Sequence, residues 1–114
     1  MSARWDALIS GLARLDAGDP EGARSAVEGH DGSGVGRALA RVAEGLEHER
    51  AGRVDEAERC FDEVYAQGAP VAAIVRESAR FFDRRGDRRR AFQCFAILDD
   101  FEHGTLAAYL ARRD

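Results

Sequence analysis

Apolar residues recur at helical spacing along most of the chain. Two runs in the first half share one pattern: Trp5, Leu8, Ile9, Leu12 and, further on, Leu39, Val42, Ala43, Leu46. Steps of three and four residues place each run on one face of an α-helix. Glycines separate such runs, since glycine tolerates the positive φ that ends a helix. We therefore expect an all-α protein of about seven helices, with turns near Gly18, Gly52 and Gly86.

The pattern repeats with a period of 34 residues. The segments GDPEGARSAV (18–27), GRVDEAERCF (52–61) and GDRRRAFQCF (86–95) align without gaps. They share a glycine, an alanine and a Val/Phe position: Gly18, Gly52, Gly86; Ala23, Ala57, Ala91; Val27, Phe61, Phe95. A small residue also precedes each glycine by seven positions: Gly11, Gly45, Ala79. Such a repeat predicts three helical hairpins, in which the alanine lets two helices approach closely.

Capping residues mark the expected helix starts. Asp19-Pro20 supplies an N-cap and a first-turn proline, and Asp87 is placed to cap in the third unit. Thr105 is predicted to be the N-cap of a last helix that runs from Leu106 to Arg113. Loops are expected over residues 29–36, 67–70 and 102–104.

The period and its glycine–alanine–aromatic spacing resemble the tetratricopeptide (TPR) family, whose pattern is W-x2-L-G-x2-Y, then A-x3-F, then P. Ala23-x3-Val27, Ala57-x3-Phe61 and Ala91-x3-Phe95 match its second half, whereas the first helix of each unit matches less well. The resemblance implies a single domain, 1–114, built as a short right-handed α-solenoid. Its repeats would span about 4–36, 37–70 and 71–104, followed by a capping helix at 105–113.

The apolar runs of the first two repeats leave two interpretations open. Their residues are spaced as in the TPR pattern, but each run begins two residues before the position that the pattern gives it. If the first helices are shifted by two residues, the runs form the core. If the register is regular, the concave groove is lined by Trp5, Leu8, Leu12, Leu39, Val42 and Leu46. An exposed apolar stripe of that size would predict a binding partner.

Composition and charge restrict the function classes. The chain has 114 residues, 45% hydrophobic and 33% charged, and a net charge of −4. This fits one soluble domain and argues against a general polyanion binder. All 17 basic residues are arginine, which favours a GC-rich, bacterial genome. No apolar run approaches the ~20 residues of a membrane span, and no signal peptide is recognisable, so a cytoplasmic location is expected.

The third repeat differs in charge from the first two. Residues 71–104 carry seven arginines and six acids, whereas the first and second repeats each have a net charge of −3. Arg76, Arg80 and Arg84 follow i, i+4, i+8 spacing and so form one stripe on a helix. In the segment DRRGDRRRAF (83–92), Arg88–Arg90 instead fan out over about 200° of a helix. We expect those three to form a solvated, ion-paired corner.

The resemblance gives the arginine stripe a possible role. Arg76 and Arg80 fall at concave TPR positions, on the helix where domains that bind chaperone C-termini carry a two-cation carboxylate clamp. Their other clamp positions correspond here to Leu8, Leu12 and Ala43. We therefore expect an adaptor with an apolar groove and a basic end, which binds a peptide or protein partner through an acidic or C-terminal carboxylate.

No combination of residues predicts catalysis. His30, His48 and His103 lack metal-ligand spacing, and Cys60 and Cys94 are expected to be buried, inert thiols. The glycine-rich segment 29–40 lacks the lysine of a phosphate-binding loop and is expected to be a linker. The sequence therefore predicts a non-enzymatic protein without metal or cofactor. Two alternatives remain: self-association as a homodimer, and weak nucleic-acid binding through the third repeat.

Overall fold

The architecture was taken from a computed structural model, which describes residues 3–30, 34–68 and 71–113. Within these ranges the chain forms seven α-helices and no β-strand. The helices are α1 (Ala3–Asp16), α2 (Pro20–Ala26), α3 (Gly34–Arg50), α4 (Val54–Gln67), α5 (Ala72–Arg84), α6 (Arg88–Asp99) and α7 (Thr105–Arg113). The all-α class predicted from the apolar spacing is confirmed.

The predicted turns and caps of the hairpins are present. Gly18, Gly52 and Gly86 have φ angles of 80°, 80° and 78°, a left-handed conformation that costs other residues energy. At the start of α2, Asp19 Oδ1 accepts a hydrogen bond from the Gly22 amide at 2.9 Å. At the start of α6, Asp87 Oδ1 accepts one from the Arg90 amide at 3.1 Å. These side chains satisfy amides that the first helical turn leaves unbonded.

Two expected boundaries need correction. Helix α3 already begins at Gly34, inside the expected loop 29–36, and Gly36 is buried within it, where helical bonding satisfies its backbone. Thr105 does not act as the N-cap of α7, because its hydroxyl donates to the Glu102 carbonyl at 2.6 Å. The capping acceptor is Asp99 Oδ1, which receives the amides of Gly104 and Leu106 at 2.9 and 3.2 Å.

The chain divides into two compact units, Met1–Ala69 and Pro70–Asp114. The first unit contains α1 to α4, in which α1 packs on α2, α3 packs on both of them, and α4 packs on α3. The repeated small position lies at these contacts. A Cβ atom on Gly11 would lie 2.7 Å from Leu39 Cδ2, and one on Gly45 would lie 2.7 Å from Phe61 Cε2. The small residue is therefore what allows the helices of this unit to pack so closely.

The second unit contains α5, α6 and α7, and α6 packs against both of the others. Its core is aromatic. The Phe81 and Phe82 rings meet edge to face at 5.7 Å, and the Phe95 ring stacks on the Tyr109 ring at 4.4 Å. Tyr109 thus anchors α7 to α6 in a contact that combines apolar burial with favourable ring geometry.

Across residues 3–30, 34–68 and 71–113, no helix combines the length and the apolar character that crossing a membrane requires.

Candidate functional site

The six apolar residues proposed for a groove have different environments in the first unit. Leu8, Leu39 and Val42 are buried, with exposed fractions of 5%, 0% and 0%. Leu12 and Leu46 are half-buried, and Trp5 is 60% exposed. The groove interpretation therefore does not hold for the three buried residues, which belong to the core. The shifted-helix interpretation in turn does not hold for Trp5 or for Ile9, which is 55% exposed.

Packing between α1, α2 and α3 explains this burial. The Leu39 side chain lies against α1 at Gly11, the position where a Cβ atom would collide with it. Val42 is one turn further along the same face of α3 and is fully buried. Burying each such aliphatic side chain contributes about 1.5–3 kcal/mol to stability. The first unit therefore uses Leu39 and Val42 for its own core.

The second unit contains an open cleft of about 360 Å³. Residues of α5, of α6 and the following loop, and of α7 line it. The lining residues are Arg76, Arg80, Asp83, Arg84, Phe95, Leu98, Glu102, Thr105, Ala108 and Arg112. Among the lining residues that the structure describes, four are arginines and two, Asp83 and Glu102, are acids.

The arginine stripe predicted on α5 lies along this cleft. Arg76, Arg80 and Arg84 all line it, one helical turn apart. The Arg76 guanidinium is ion-paired with Glu102, and its side chain is 19% exposed. Arg80 Nη1 lies 3.4 Å from Glu77 Oε1, and the Arg80 side chain is 55% exposed. Exposure therefore increases along the stripe, from the half-buried Arg76 to the exposed Arg80 and Arg84.

An apolar surface faces the arginines. Phe95 and Leu98 on α6 are buried in the core yet reach the cleft. From α7, the Arg112 guanidinium lies 5.8 Å from the Phe95 ring centroid and 6.0 Å from that of Tyr109. At this range the ring faces attract the cation. The cleft thus combines fixed positive charge with a small apolar area, since Phe95 and Leu98 are only 5% and 1% exposed.

The sequence pattern does not link Glu102 or Arg112 to the arginine stripe. It predicts only a loop at Glu102 and a terminal helix at Arg112. Neither has a spacing relation to the arginines of α5, because both reach the cleft through the packing of α7 on α6. Their distance in sequence from Arg76 gives no periodic signal.

The arginines at the start of α6 meet the expectation of a solvated, ion-paired corner in part: two are exposed, and an ion pair is seen for Arg90. Arg88 and Arg89 are exposed, whereas Arg90 Nε donates to Asp87 Oδ2 at 2.6 Å. The Arg90 guanidinium also lies 4.2 Å from the Phe82 ring centroid. The side-chain hydrogen bond from Arg90, together with that from the Arg90 amide, lowers the pKa of Asp87.

Arginines of the first unit are paired with glutamates on neighbouring helices. Arg24 Nε and Nη2 donate to the two oxygens of Glu47 at 2.7 and 2.9 Å. Arg41 donates to Glu44 at 2.7 Å and to Glu63 at 2.6 Å. The Arg24–Glu47 pair links α2 to α3 and the Arg41–Glu63 pair links α3 to α4, whereas Glu44 lies on α3 beside Arg41.

The two thiols are in the core, as expected. Cys60 and Cys94 are 3% and 4% exposed. Burial raises the pKa of both, that of Cys94 to about 11, so the reactive thiolate is scarce at neutral pH. Among the residues that the structure describes, no group of three or more His, Cys, Asp or Glu side chains is placed to hold a metal ion.

Comparison of the chain with protein-family models, with curated proteins and with solved structures found no match.

Proposed function

We propose that this protein is a non-catalytic interaction domain that binds an acidic segment of a partner protein in the cleft of its second unit. The observation that carries the proposal is the convergence of Arg76, Arg80, Arg84 and Arg112 on one open cleft that has an apolar base. A cleft of this size can hold a few residues of a peptide.

The chemistry of the cleft suits a carboxylate. A guanidinium offers paired N–H donors that match the two oxygens of a carboxylate group. Arg80 and Arg84 are exposed, so a ligand can reach them without rearrangement of the fold. Phe95 and Leu98 then offer contact to a neighbouring apolar side chain. We therefore favour a peptide that combines a glutamate, an aspartate or a terminal carboxylate with one apolar residue.

The proposal includes a TPR-like architecture. It is supported by the repeated left-handed glycines and by the small residues that face Leu39 and Phe61. Stacking of the hairpins as a short α-solenoid and a cytoplasmic location, both expected from the sequence, are parts of the same proposal.

Binding of short peptides tests the function. The probe is a fluorescein-labelled heptapeptide with two glutamates and one leucine, measured by fluorescence anisotropy. Its control peptide carries glutamine in place of both glutamates. Loss of one charge-assisted contact in Arg80→Gln or Arg84→Gln is expected to weaken binding roughly five- to tenfold. Arg88→Gln removes an exposed arginine that does not line the cleft and is expected to leave affinity unchanged.

Two results would contradict the proposal. One is equal binding of the glutamate and glutamine peptides, and the other is an equal loss of affinity in Arg88→Gln and Arg80→Gln. Binding of an oligonucleotide with a steep salt dependence would instead favour the nucleic-acid alternative, because many released counterions produce that dependence. If the protein is a dimer in solution and this dimer does not bind the peptide, self-association is favoured.

A further inference from the structure

The loop between α6 and α7 places one acidic side chain inside the cleft. Glu102 lines the cleft and its carboxylate accepts a hydrogen bond from Arg76 Nη2. The same carboxylate chemistry is what we propose for the ligand. The Glu102 carboxylate therefore occupies the half-buried end of the arginine stripe, where a ligand carboxylate would otherwise bind.

Local hydrogen bonds hold the loop in this conformation. Asp99 Oδ1 accepts the amides of Gly104 and Leu106, which closes the loop onto the end of α6. The Thr105 hydroxyl donates to the carbonyl of Glu102 at 2.6 Å. Because these bonds fix the loop backbone, the Glu102 side chain is delivered to Arg76 by the fold and needs no ligand to order it.

We propose that Glu102 is an internal competitor that limits access of acidic ligands to Arg76, an inference that rests on the proposed function of the cleft. A ligand carboxylate meets Arg80 first, because the Arg80 side chain is 55% exposed whereas that of Arg76 is 19% exposed. To engage Arg76 as well, the ligand has to displace the Glu102 side chain, which is 41% exposed and able to rotate into solvent. Part of the ligand's binding free energy is then spent on breaking the internal ion pair.

The competitor should act mainly against ligands with two negative groups. A single carboxylate that binds Arg80 and Arg84 leaves the Arg76–Glu102 pair intact. A second carboxylate reaches the inner arginine only by displacing Glu102, which costs part of its binding free energy. Glu102 therefore lowers affinity for diacidic segments more than for monoacidic ones.

Removal of the Glu102 charge tests this inference. Glu102→Gln keeps the size of the side chain and the backbone carbonyl that Thr105 binds. Because a partly exposed ion pair is of modest strength, we expect the diacidic heptapeptide to bind roughly two- to fivefold more tightly. The matched control is Asp100→Asn, which removes an exposed charge from the start of the same loop, outside the residues that line the cleft. Glu102→Ala serves as a second variant, and circular dichroism checks that each variant is folded.

A double-mutant cycle separates competition from general electrostatics. In an Arg76→Gln background, Glu102→Gln should no longer improve binding, since the pair that it breaks is already absent. If Glu102→Gln improves affinity no more than Asp100→Asn, or improves it equally in the Arg76→Gln background, the inference is overturned.

A small anion distinguishes failure of this inference from failure of the proposed function. Inorganic phosphate is titrated while the NMR signal of the Arg76 side-chain Nε–Hε group is followed. Competition predicts a larger phosphate-dependent shift in Glu102→Gln than in the wild type and in Asp100→Asn. If this shift is seen but no peptide binds, the competitor stands and the peptide function fails. If the Arg76 signal responds equally in all three proteins, the competitor itself is refuted.

Discussion

The same position of the repeat has opposite environments in the two units. Leu8, Val42 and Arg76 are separated by 34 residues. The first two are core residues of the first unit, whereas Arg76 lies at a cleft of the second unit and pairs with Glu102. The period therefore sets where helices begin and turn. What a given position contacts is decided by the helices that pack against it.

The arginines of the two units also differ in the groups that they contact. In the first unit, Arg24 and Arg41 are paired with glutamates of adjacent helices, at 2.5–2.9 Å. In the second unit, the exposed Arg80 has a long 3.4 Å contact with Glu77 on its own helix. Ion pairs between helices consume the hydrogen-bonding capacity of a guanidinium. By its long contact and its exposure, Arg80 retains more of that capacity for a ligand.

Exchanging the residue types of Val42 and Arg76, which share one position of the repeat, should have the largest effect on stability. Val42→Arg places a charge in a fully buried site and is expected to lower the free energy of unfolding by at least about 3 kcal/mol. The reciprocal Arg76→Val breaks one partly exposed ion pair and should cost about 1 kcal/mol or less. Urea unfolding followed by circular dichroism measures both. Similar losses in the two variants would mean that the environments do not differ as described.

The repeated small position gives the next largest effect. In Gly45→Ala the new methyl group meets the Phe61 ring at 2.7 Å, and overpacking costs about 1–3 kcal/mol. A gain in helix propensity of up to about 1 kcal/mol offsets part of this, so net destabilisation of about 1–2 kcal/mol is expected. Gly34→Ala, in the first turn of the same helix, has open space around the new methyl group and should be neutral or stabilising. Equal melting temperatures of the two variants would contradict close packing at Gly45.

A capping effect of intermediate size is expected at Asp87, with a defined pH dependence. Removal of the cap in Asp87→Ala should cost about 1 kcal/mol at neutral pH. Because its bonds with Arg90 lower the pKa of Asp87 in the folded state, its contribution is complete above the unfolded value of about 3.9. It is lost as the pH falls through the lower folded value. The difference in unfolding free energy between wild type and variant should therefore shrink below about pH 4, and a constant difference would be inconsistent with an ionised cap.

The smallest effect is expected at the start of α4, where the second hairpin lacks the aspartate cap of the other two. Arg53 stands where Asp19 and Asp87 stand in the other hairpins, and its side chain makes no capping hydrogen bond to α4. Arg53→Asp should add a cap and a favourable interaction with the helix dipole, raising stability by about 0.5–1 kcal/mol. Loss of the 2.9 Å bond from Arg53 Nε to His48 Nδ1 reduces this gain slightly. A lowered melting temperature would show that the His48 contact outweighs the cap.

Sequence patterns predicted the local features of the fold well. The turns at Gly18, Gly52 and Gly86 and the caps at Asp19 and Asp87 follow from residue-specific backbone preferences, and all are present. The core-or-groove question could not be answered from the sequence, because Leu39 and Val42 have the same spacing in either case. Their burial and the contact of Leu39 with α1 show that these two residues belong to the core.

The candidate site was predicted only in part. Arg76, Arg80 and Arg84 share one helix, so their spacing alone places them on one face. Glu102 and Arg112 come from other elements, and their meeting with α5 depends on how α7 packs through Tyr109. Periodicity carries information within a helix but not about such contacts between helices.

The buried cysteines give each unit a separate chemical reporter of its own opening. Cys60 lies in the first unit and Cys94 in the second, at equivalent positions of the repeat, and both are nearly inaccessible. With the pKa of each thiol raised by burial, labelling in the native protein requires local or global unfolding. Labelling rates of the two thiols, resolved by mass spectrometry, therefore measure whether the units open together or one at a time.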